Sequence, residues 1–335
     1  MANKHAKALV MLSGGLDSKL VVKLLEDLKV SMLGIHFNLP FGSGCCKQLC
    51  SWKFMQTEGL PMKIMDCTKG RLFKEYLNII KKPKFGYGSG LNPCIDCRIF
   101  MLKKAASLMK KYKASFIATG EVLGERPMSQ HFKAMMLVEK ESGLKGRLLR
   151  PLSAKLLAET IPEKKKWVDR SKLLDIQGRS RKKQIELANH YKITYPSPGG
   201  GCLLCEKEYA KKLIDLFKNQ KEISPREIEL LKLGRHFRIG KSKIVVGRNL
   251  QENDALKKLA ESLKAEVFEC KEVVGPTTLL IGKDKESRQK AAELTAFYSD
   301  AVKEGISEVS MNKIKIRLDK INKDSLMKLR ICKKG

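Results

Sequence analysis

The hexapeptide Ser13-Gly14-Gly15-Leu16-Asp17-Ser18 constrains this chain more than any other stretch. A short apolar run, Ala8 to Leu12, precedes it and reads as a buried strand. Leu20, Val21, Val22, Leu24, Leu25 and Leu28 follow at the spacing of one helix face. The glycines therefore sit in a strand-to-helix turn. Two glycines let the backbone approach a ligand with no Cβ between them. The free N–H groups of the helix start, with the Ser13 and Ser18 hydroxyls, form an anion site. Asp17 is out of place in an anion site unless a divalent cation bridges it to phosphate, as Mg²⁺ does. The expectation is a phosphate-binding loop. An ordinary Gly-rich turn is the plainer alternative.

Further strands are read at Val30 to Phe37, Met62 to Asp66 and Ser115 to Thr119, with short ones at Met135 to Val138 and Leu148-Leu149. The second ends in His36-Phe37-Asn38 beside the loop, where open α/β sheets bind ligands. His36 and Phe37 could equally be a satisfied sheet-edge histidine and a core ring. Gly120 follows Thr119 at the end of another strand. Arg150 and Lys155, in a turn after Leu149, read as phosphate contacts or as surface cations.

The chain holds 10 cysteines. No apolar run approaches ~20 residues and the N-terminus leads directly into the first strand, so a cytoplasmic protein without membrane contact is expected. Disulfides are not expected in that compartment. Cys45, Cys46 and Cys50 share one loop and read as a metal or relay group, or as small buried residues. Asn92-Pro93-Cys94-Ile95-Asp96-Cys97 follows a Gly-rich segment, Phe85 to Gly90, that reads as flexible. An apolar helix comes next, which places this CxxC at a helix N-terminus, where thiolates are favoured. A second CxxC, Cys202 and Cys205, ends a loop of prolines and glycines. Two such pairs suggest structural zinc, although the wide gap between them argues against a compact zinc knuckle. An iron–sulfur cluster is the other reading.

The formal charge is +31, from 67 Lys and Arg against 36 Asp and Glu, and it is spread along the chain. A folded electropositive surface and a polyanionic partner are expected, nucleic acid first. Arg179 and Arg181 stand in one basic stretch. Ser224-Pro225-Arg226-Glu227 is a capping box that opens a new unit. Arg235 to Gly240 and Lys243 to Asn249 read as a hairpin carrying Arg235 and Arg248. Lys313 to Leu318 alternates basic and apolar, so Lys315 and Arg317 would share one strand face.

The loop resembles the pyrophosphate loop of the ATP-pyrophosphatase (PP-loop) superfamily. NPCxxC followed by a cysteine in a Gly-rich loop is similar to the tRNA 2-thiouridylase and 4-thiouridine synthase class. The VGRN stretch, Val246 to Asn249, with Glu252-Asn253, resembles the RNA-binding domain of ribosome quality-control factors (NFACT-R-like). The resemblance implies an α/β fold, a Rossmann-like (HUP-type) parallel sheet with flanking helices, plus a smaller α+β C-terminal domain. It implies a thiolation domain at 1–217 and an RNA-binding domain at 218–335. It implies ATP bound by Ser13, Gly14, Gly15, Asp17, Ser18, His36, Phe37, Thr119 and Gly120, with Mg²⁺. It further implies a [4Fe–4S] cluster on Cys94, Cys97 and Cys202, with Cys205 as an extra, or instead a cysteine persulfide. The expected reaction is ATP-dependent replacement of a uridine carbonyl oxygen by sulfur, with tRNA as partner. Free sulfide or a persulfide carrier protein is the expected sulfur donor. Two other classes remain: a PP-loop ligase or amidating enzyme acting on RNA, and a non-catalytic RNA-binding factor with zinc. No motif for a methyl-transfer cofactor is present.

Overall fold

Ala8, Leu9 and Val10 of β1 (Lys7–Met11) have no exposed surface, so this strand is covered on both faces, as parallel strands are. It belongs to the first of two units, residues 1–205 and 206–335, in the computed structural model of the chain. The structure describes residues 6–42, 49–195, 201–271, 273–311 and 314–332. Cys45 and Cys46 lie outside the described residues.

The first unit runs α1 (Leu16–Asp27), β2 (Ser31–Asn38), α2 (Leu49–Thr57), β3 (Met62–Asp66), α3 (Gly70–Lys81), α4 (Cys94–Met109), β4 (Phe116–Thr119), α5 (Phe132–Glu141), β5 (Leu148–Leu149), α6 (Ile161–Lys164) and α7 (Lys182–His190). Among the described residues its strands form one parallel sheet in the order β3-β2-β1-β4-β5. This is the expected Rossmann-like arrangement. The order reverses at β1, which has β2 on one side and β4 on the other. A crevice opens at such a reversal, outside the carboxyl ends of the strands. Leu16, Leu20, Val21 and Leu25 of α1 pack on one face of the sheet. Ile99, Leu102 and Ala105 of α4 pack on the other.

Two readings from sequence are corrected. Met135 to Val138 is helical, not a strand. Ala134, Met135 and Val138 form the buried side of α5, and the His131 ring accepts the Ala134 N–H at its start. An apolar run this short fits either period, and helix packing decided it. The segment Phe85 to Gly90 is pinned rather than flexible. Asp96 accepts the N–H groups of Lys84 and Phe85 at 2.8 and 3.1 Å, and the Tyr87 hydroxyl donates to the Ile80 carbonyl at 2.8 Å.

The second unit contains α8 (Lys207–Asn219), α9 (Pro225–Leu230), β6 (Arg235–Ile239), β7 (Ser242–Val246), α10 (Leu250–Ala260), β8 (Glu266–Phe268), β9 (Thr278–Ile281), α11 (Lys285–Phe297), β10 (Glu308–Met311), β11 (Ile314–Arg317) and α12 (Lys323–Lys328). It builds an antiparallel sheet, β6-β7-β9-β8, and a separate β10-β11 pair. The capping box forms as expected, with the Ser224 hydroxyl on the Glu227 N–H and the Glu227 carboxylate on the Ser224 N–H. α8 falls within this unit because Asp215 is gripped by Arg238 of β6 through two guanidinium nitrogens. Among the described residues no helix is long and apolar enough to cross a membrane.

Candidate active site

The turn after β1 has the geometry of an anion cradle. Gly14 has φ +87°, a backbone conformation that suits glycine. Gly15 caps α1 without a side-chain acceptor, so the first N–H groups of the helix face outward. The Ser18 hydroxyl donates to the Gly15 carbonyl at 2.8 Å and lies 3.3 Å from that of Ser13. Gly120, after β4, presses on the back of this loop. A Cβ there would lie 2.7 Å from both the Asp17 carbonyl carbon and the Ser18 nitrogen. Gly120→Ala is therefore expected to push the loop out of register, costing about 1–3 kcal/mol of stability and about a hundredfold in turnover. Calorimetric titration with ATP, beside a melting curve, checks it. Wild-type ATP affinity in this variant would show that the contact is not needed.

Around the loop stands a group of polar side chains that the sequence did not single out as a set. Burial raises the Asp17 pKa, and the charges of Arg181 and Arg126 oppose the rise. Glu125 is raised as well, by burial and then by the charge of Asp17. Two carboxylates are thus neighbours at the head of the helix. Asp17 Oδ1, Glu125 Oε2, Arg181 Nε and both amide atoms of Gln184 are buried without a hydrogen-bond partner. So many unsatisfied atoms in one place suit a site built for a ligand. Arg181, expected on an RNA surface, is a half-buried neighbour of Asp17 instead. Arg179 is exposed.

His36 is buried, and its Nδ1 lies 2.9 Å from the Leu12 carbonyl, just before the loop. Burial lowers its pKa. Phe37 is half-buried against the core that α4 covers. Thr119 is buried, and its hydroxyl donates to Glu121 at 3.1 Å. Arg150 is neither a phosphate contact nor a surface cation. It is 2% exposed and pairs with Glu121 at 3.0 Å and with Glu139 at 2.8 Å. Burial alone would raise the Glu121 pKa, but Arg98 and Arg150 more than offset it and hold it low. Arg98 Nε lies 3.2 Å from Glu121. This pair ties the residue after Cys97 to the turn that Gly120 presses on the loop.

The two CxxC pairs come together despite their distance in sequence. Cys94 and Cys97 open α4, as expected. The backbone of Leu91 donates to the Leu204 carbonyl at 2.8 Å, and Gly90 lies so close to Leu204 and Cys205 that a side chain there would collide. On the other side Gly42 bridges Cys202, and Leu203 donates to the Phe41 carbonyl at 2.9 Å. Burial pushes the Cys202 thiol up to about 12, and the charges of Cys97, Cys205 and Cys94 add to the rise. Burial raises Cys97 too, against the Tyr76 hydroxyl 3.2 Å away and the Arg98 charge. Burial also lifts Cys67, at the end of β3, to about 12. The side chain of Asn92 donates to the Cys94 sulfur at 3.3 Å. Among the described residues no three His, Cys, Asp or Glu are arranged to hold a metal ion as they stand. The donor chemistry nonetheless fits a thiophilic group, since metal binding relieves the cost of burying thiolates.

In the second unit Lys315 and Arg317 are exposed on β11 while Ile316 is buried between them, as the alternation requires. Arg248 is exposed and pairs with Glu252. Arg235 is turned inward, its guanidinium 4.5 Å from the Tyr298 ring centre and bonded to the Gly247 carbonyl at 3.1 Å.

Residues 234–332 match the family described as the NFACT protein RNA binding domain. A probable tRNA sulfurtransferase of Methanosarcina mazei is 25% identical over 130 residues, which cover 36% of this chain and 29% of that protein. The chain thus spans under a third of that relative's length. Among solved structures, a 4-thiouridine synthetase in complex with RNA and ATP aligns with TM-score 0.38 and 18% identity, over 77% of this chain and 53% of that one. A predicted subunit of tRNA methyltransferase from Methanocaldococcus jannaschii aligns with TM-score 0.36 and 15% identity, over 66% and 91%. An NH3-dependent NAD synthetase from Campylobacter jejuni aligns with TM-score 0.32 and 16% identity, over 68% and 82%. Part of the chain is thus similar to a probable tRNA sulfurtransferase, and residues 234–332 to the RNA-binding domain of NFACT proteins.

Proposed function

We propose that this chain is an ATP-dependent tRNA uridine sulfurtransferase. The observation that carries the proposal is the Arg98–Glu121 pair, which joins the cysteine helix to the turn packed against the phosphate loop. Activation and sulfur delivery would then take place at one edge of one sheet.

The chemistry follows from the groups present. A uridine carbonyl oxygen is a poor leaving group. When it attacks the α-phosphorus of ATP, an O–P bond forms and the bond to the β-phosphate breaks. Pyrophosphate leaves onto the loop, where the helix N–H groups and the charges of Arg126 and Arg181 receive it. Asp17 and Glu125 would hold Mg²⁺, which offsets the repulsion between carboxylate and phosphate. A sulfur nucleophile at the oxidation level of sulfide then displaces AMP from the activated carbon. Cys94, Cys97 and Cys202 would hold a [4Fe–4S] cluster, which supplies a binding place for that sulfur. These three cysteines are half-buried, which would limit the water that competes for the activated base. The target base must be presented unstacked. Arg248, Lys315 and Arg317 of the second unit would hold the tRNA by its phosphates, which positions without specifying.

A second reading rests on the neighbourhood of Cys202 with Cys94, Cys97 and Cys205. Four thiols in one neighbourhood would also suit a structural zinc if they drew together around it, and the gap in sequence is no objection once the loops meet. The deciding experiment uses the full chain, purified without oxygen and mixed with tRNA, ATP, Mg²⁺ and sulfide. Iron, zinc and pyrophosphate are measured together with the nucleosides of the digested tRNA. Thiouridine with matching pyrophosphate is the expected result. Pyrophosphate with no sulfur in the RNA points to an RNA-modifying ligase. Zinc with no ATP cleavage points to a binding factor.

A further inference from the structure

We propose that Tyr76 and Asn92 are positioning residues, each giving a hydrogen bond to one sulfur of the first CxxC pair, and that together they set the reduction potential of the cluster held there. The inference rests on the cluster reading above. Its starting point is two donors on two sulfurs. Tyr76 Oη is 3.2 Å from Cys97 Sγ, and Asn92 Nδ2 is 3.3 Å from Cys94 Sγ. Tyr76 is 1% exposed and Asn92 6%.

Neither contact is incidental to a surface. The Tyr76 ring packs among aromatic neighbours, 5.4 Å from Phe100 and 6.2 Å from Phe41 between ring centres. Phenylalanine would fill the same place with no polar group to satisfy. The hydroxyl needs another reason to be there, and the one it has is a sulfur. A sulfur bound to iron can only accept, so the hydroxyl donates. The orientation of Asn92 is fixed by its other end. The Gly90 N–H donates to Asn92 Oδ1 at 3.0 Å, which turns the NH₂ group toward Cys94. The Phe41 segment that packs on Tyr76 also pairs with Leu203, beside Cys202. The aromatic cluster therefore touches both cysteine loops.

A hydrogen bond to a ligating sulfur draws off negative charge and favours the reduced cluster. Removing either donor should move the midpoint to more negative values. Tyr76→Phe keeps the ring and removes only the hydroxyl. Asn92→Asp keeps the acceptor for Gly90 and replaces the donor. The test is iron content and a dye-mediated redox titration, by visible absorption and electron paramagnetic resonance, on anaerobically purified full-length protein. The expected result is wild-type iron in both variants, a more negative midpoint in each, and a larger shift in the double variant. Iron-loaded variants with the wild-type midpoint would overturn the inference and leave the cluster reading standing. Wild-type protein without iron would remove the cluster reading, and this inference with it. If Tyr76→Phe does not retain iron, the Asn92→Asp midpoint decides, since that residue lies outside the aromatic cluster.

Discussion

Asn in place of Asp17 is expected to abolish ATP cleavage while leaving the thermal midpoint at or above that of the wild type. The two halves of this result have one cause. Asp17 Oδ1 is buried and makes no hydrogen bond, and burial raises the carboxyl pKa. A carboxyl with a raised folded-state pKa binds protons more tightly folded than unfolded. Its contribution to stability therefore falls as pH rises from the unfolded pKa through the folded one. At neutral pH the ionised group is a net cost in the free protein. The amide removes that cost and keeps the shape. It also removes the charge that would hold Mg²⁺, so transition-state stabilisation at the leaving pyrophosphate is lost. The expected drop in pyrophosphate release is roughly 10²–10³-fold. Glu125→Gln should act in the same direction, since its carboxyl is raised by burial and by Asp17. Pyrophosphate release with tRNA present and melting curves at neutral pH are the measurements. Release within tenfold of wild type in Asp17→Asn would show that the loop does not handle phosphate in this way.

What the sequence discloses here is what is local. The glycine turn after β1 is legible because a strand, a turn and a helix start lie within one short run. The helix start at Cys94 is legible for the same reason. β3, Met62–Asp66, is read to the residue because its apolar run ends at a charged one. What is not legible depends on contacts between distant elements. Nothing near Arg150 announces that Glu121 and Glu139 will bury it. Arg98 and Glu121 are 23 positions apart, on α4 and after β4, and meet only because the sheet brings these elements together. Tyr76 falls on the apolar face of α3 with Phe73, Leu77 and Ile80, and neither that spacing nor the place of Asn92 before the first CxxC announces a hydrogen bond to sulfur. Arg181 looked like one more cation in a basic run, yet the packing of α7 on α1 brings it beside Asp17. Gly90 reads as a mark of flexibility, while in the fold it makes room for the Leu204 carbonyl.

The cysteines should divide into two groups when each is replaced by Ala. Cys94, Cys97 and Cys202 should each lose iron and thiolation together, by roughly a hundredfold or more, since even an indirect partner of a metal ligand is worth 10–100-fold. ATP binding should survive in all three, because the loop after β1 holds its shape through Ser13, Ser18 and Gly120. Cys205 should behave differently. It is exposed, whereas burial pushes Cys202, a turn away, up to about 12. Ala at 205 should keep most of the iron and most of the activity if three thiolates hold the cluster and one iron stays open. Cys67 is buried with its sulfur 3.9 Å from the Met65 carbonyl, so Cys67→Ala should leave a small cavity and intact chemistry. Cys332, whose sulfur lies 3.2 Å from the Glu208 carbonyl in the second unit, should be equally dispensable for thiolation. The measurement is iron and thiouridine for each variant, prepared without oxygen. Loss of iron in Cys205→Ala would make the site four-coordinate and closed, which leaves no place for incoming sulfur and favours a structural role. Full activity in iron-free wild-type protein given a persulfide donor, whose outer sulfur is already at the sulfane level, would instead move that sulfur onto a cysteine as the donor's thiol leaves. Two thiols would then suffice, one attacking and one resolving, and one of the three single variants would remain active. Convergence of the two loops is common to all these outcomes. The pattern of loss across Cys94, Cys97, Cys202 and Cys205 is what separates an open cluster from a closed metal site and from a persulfide.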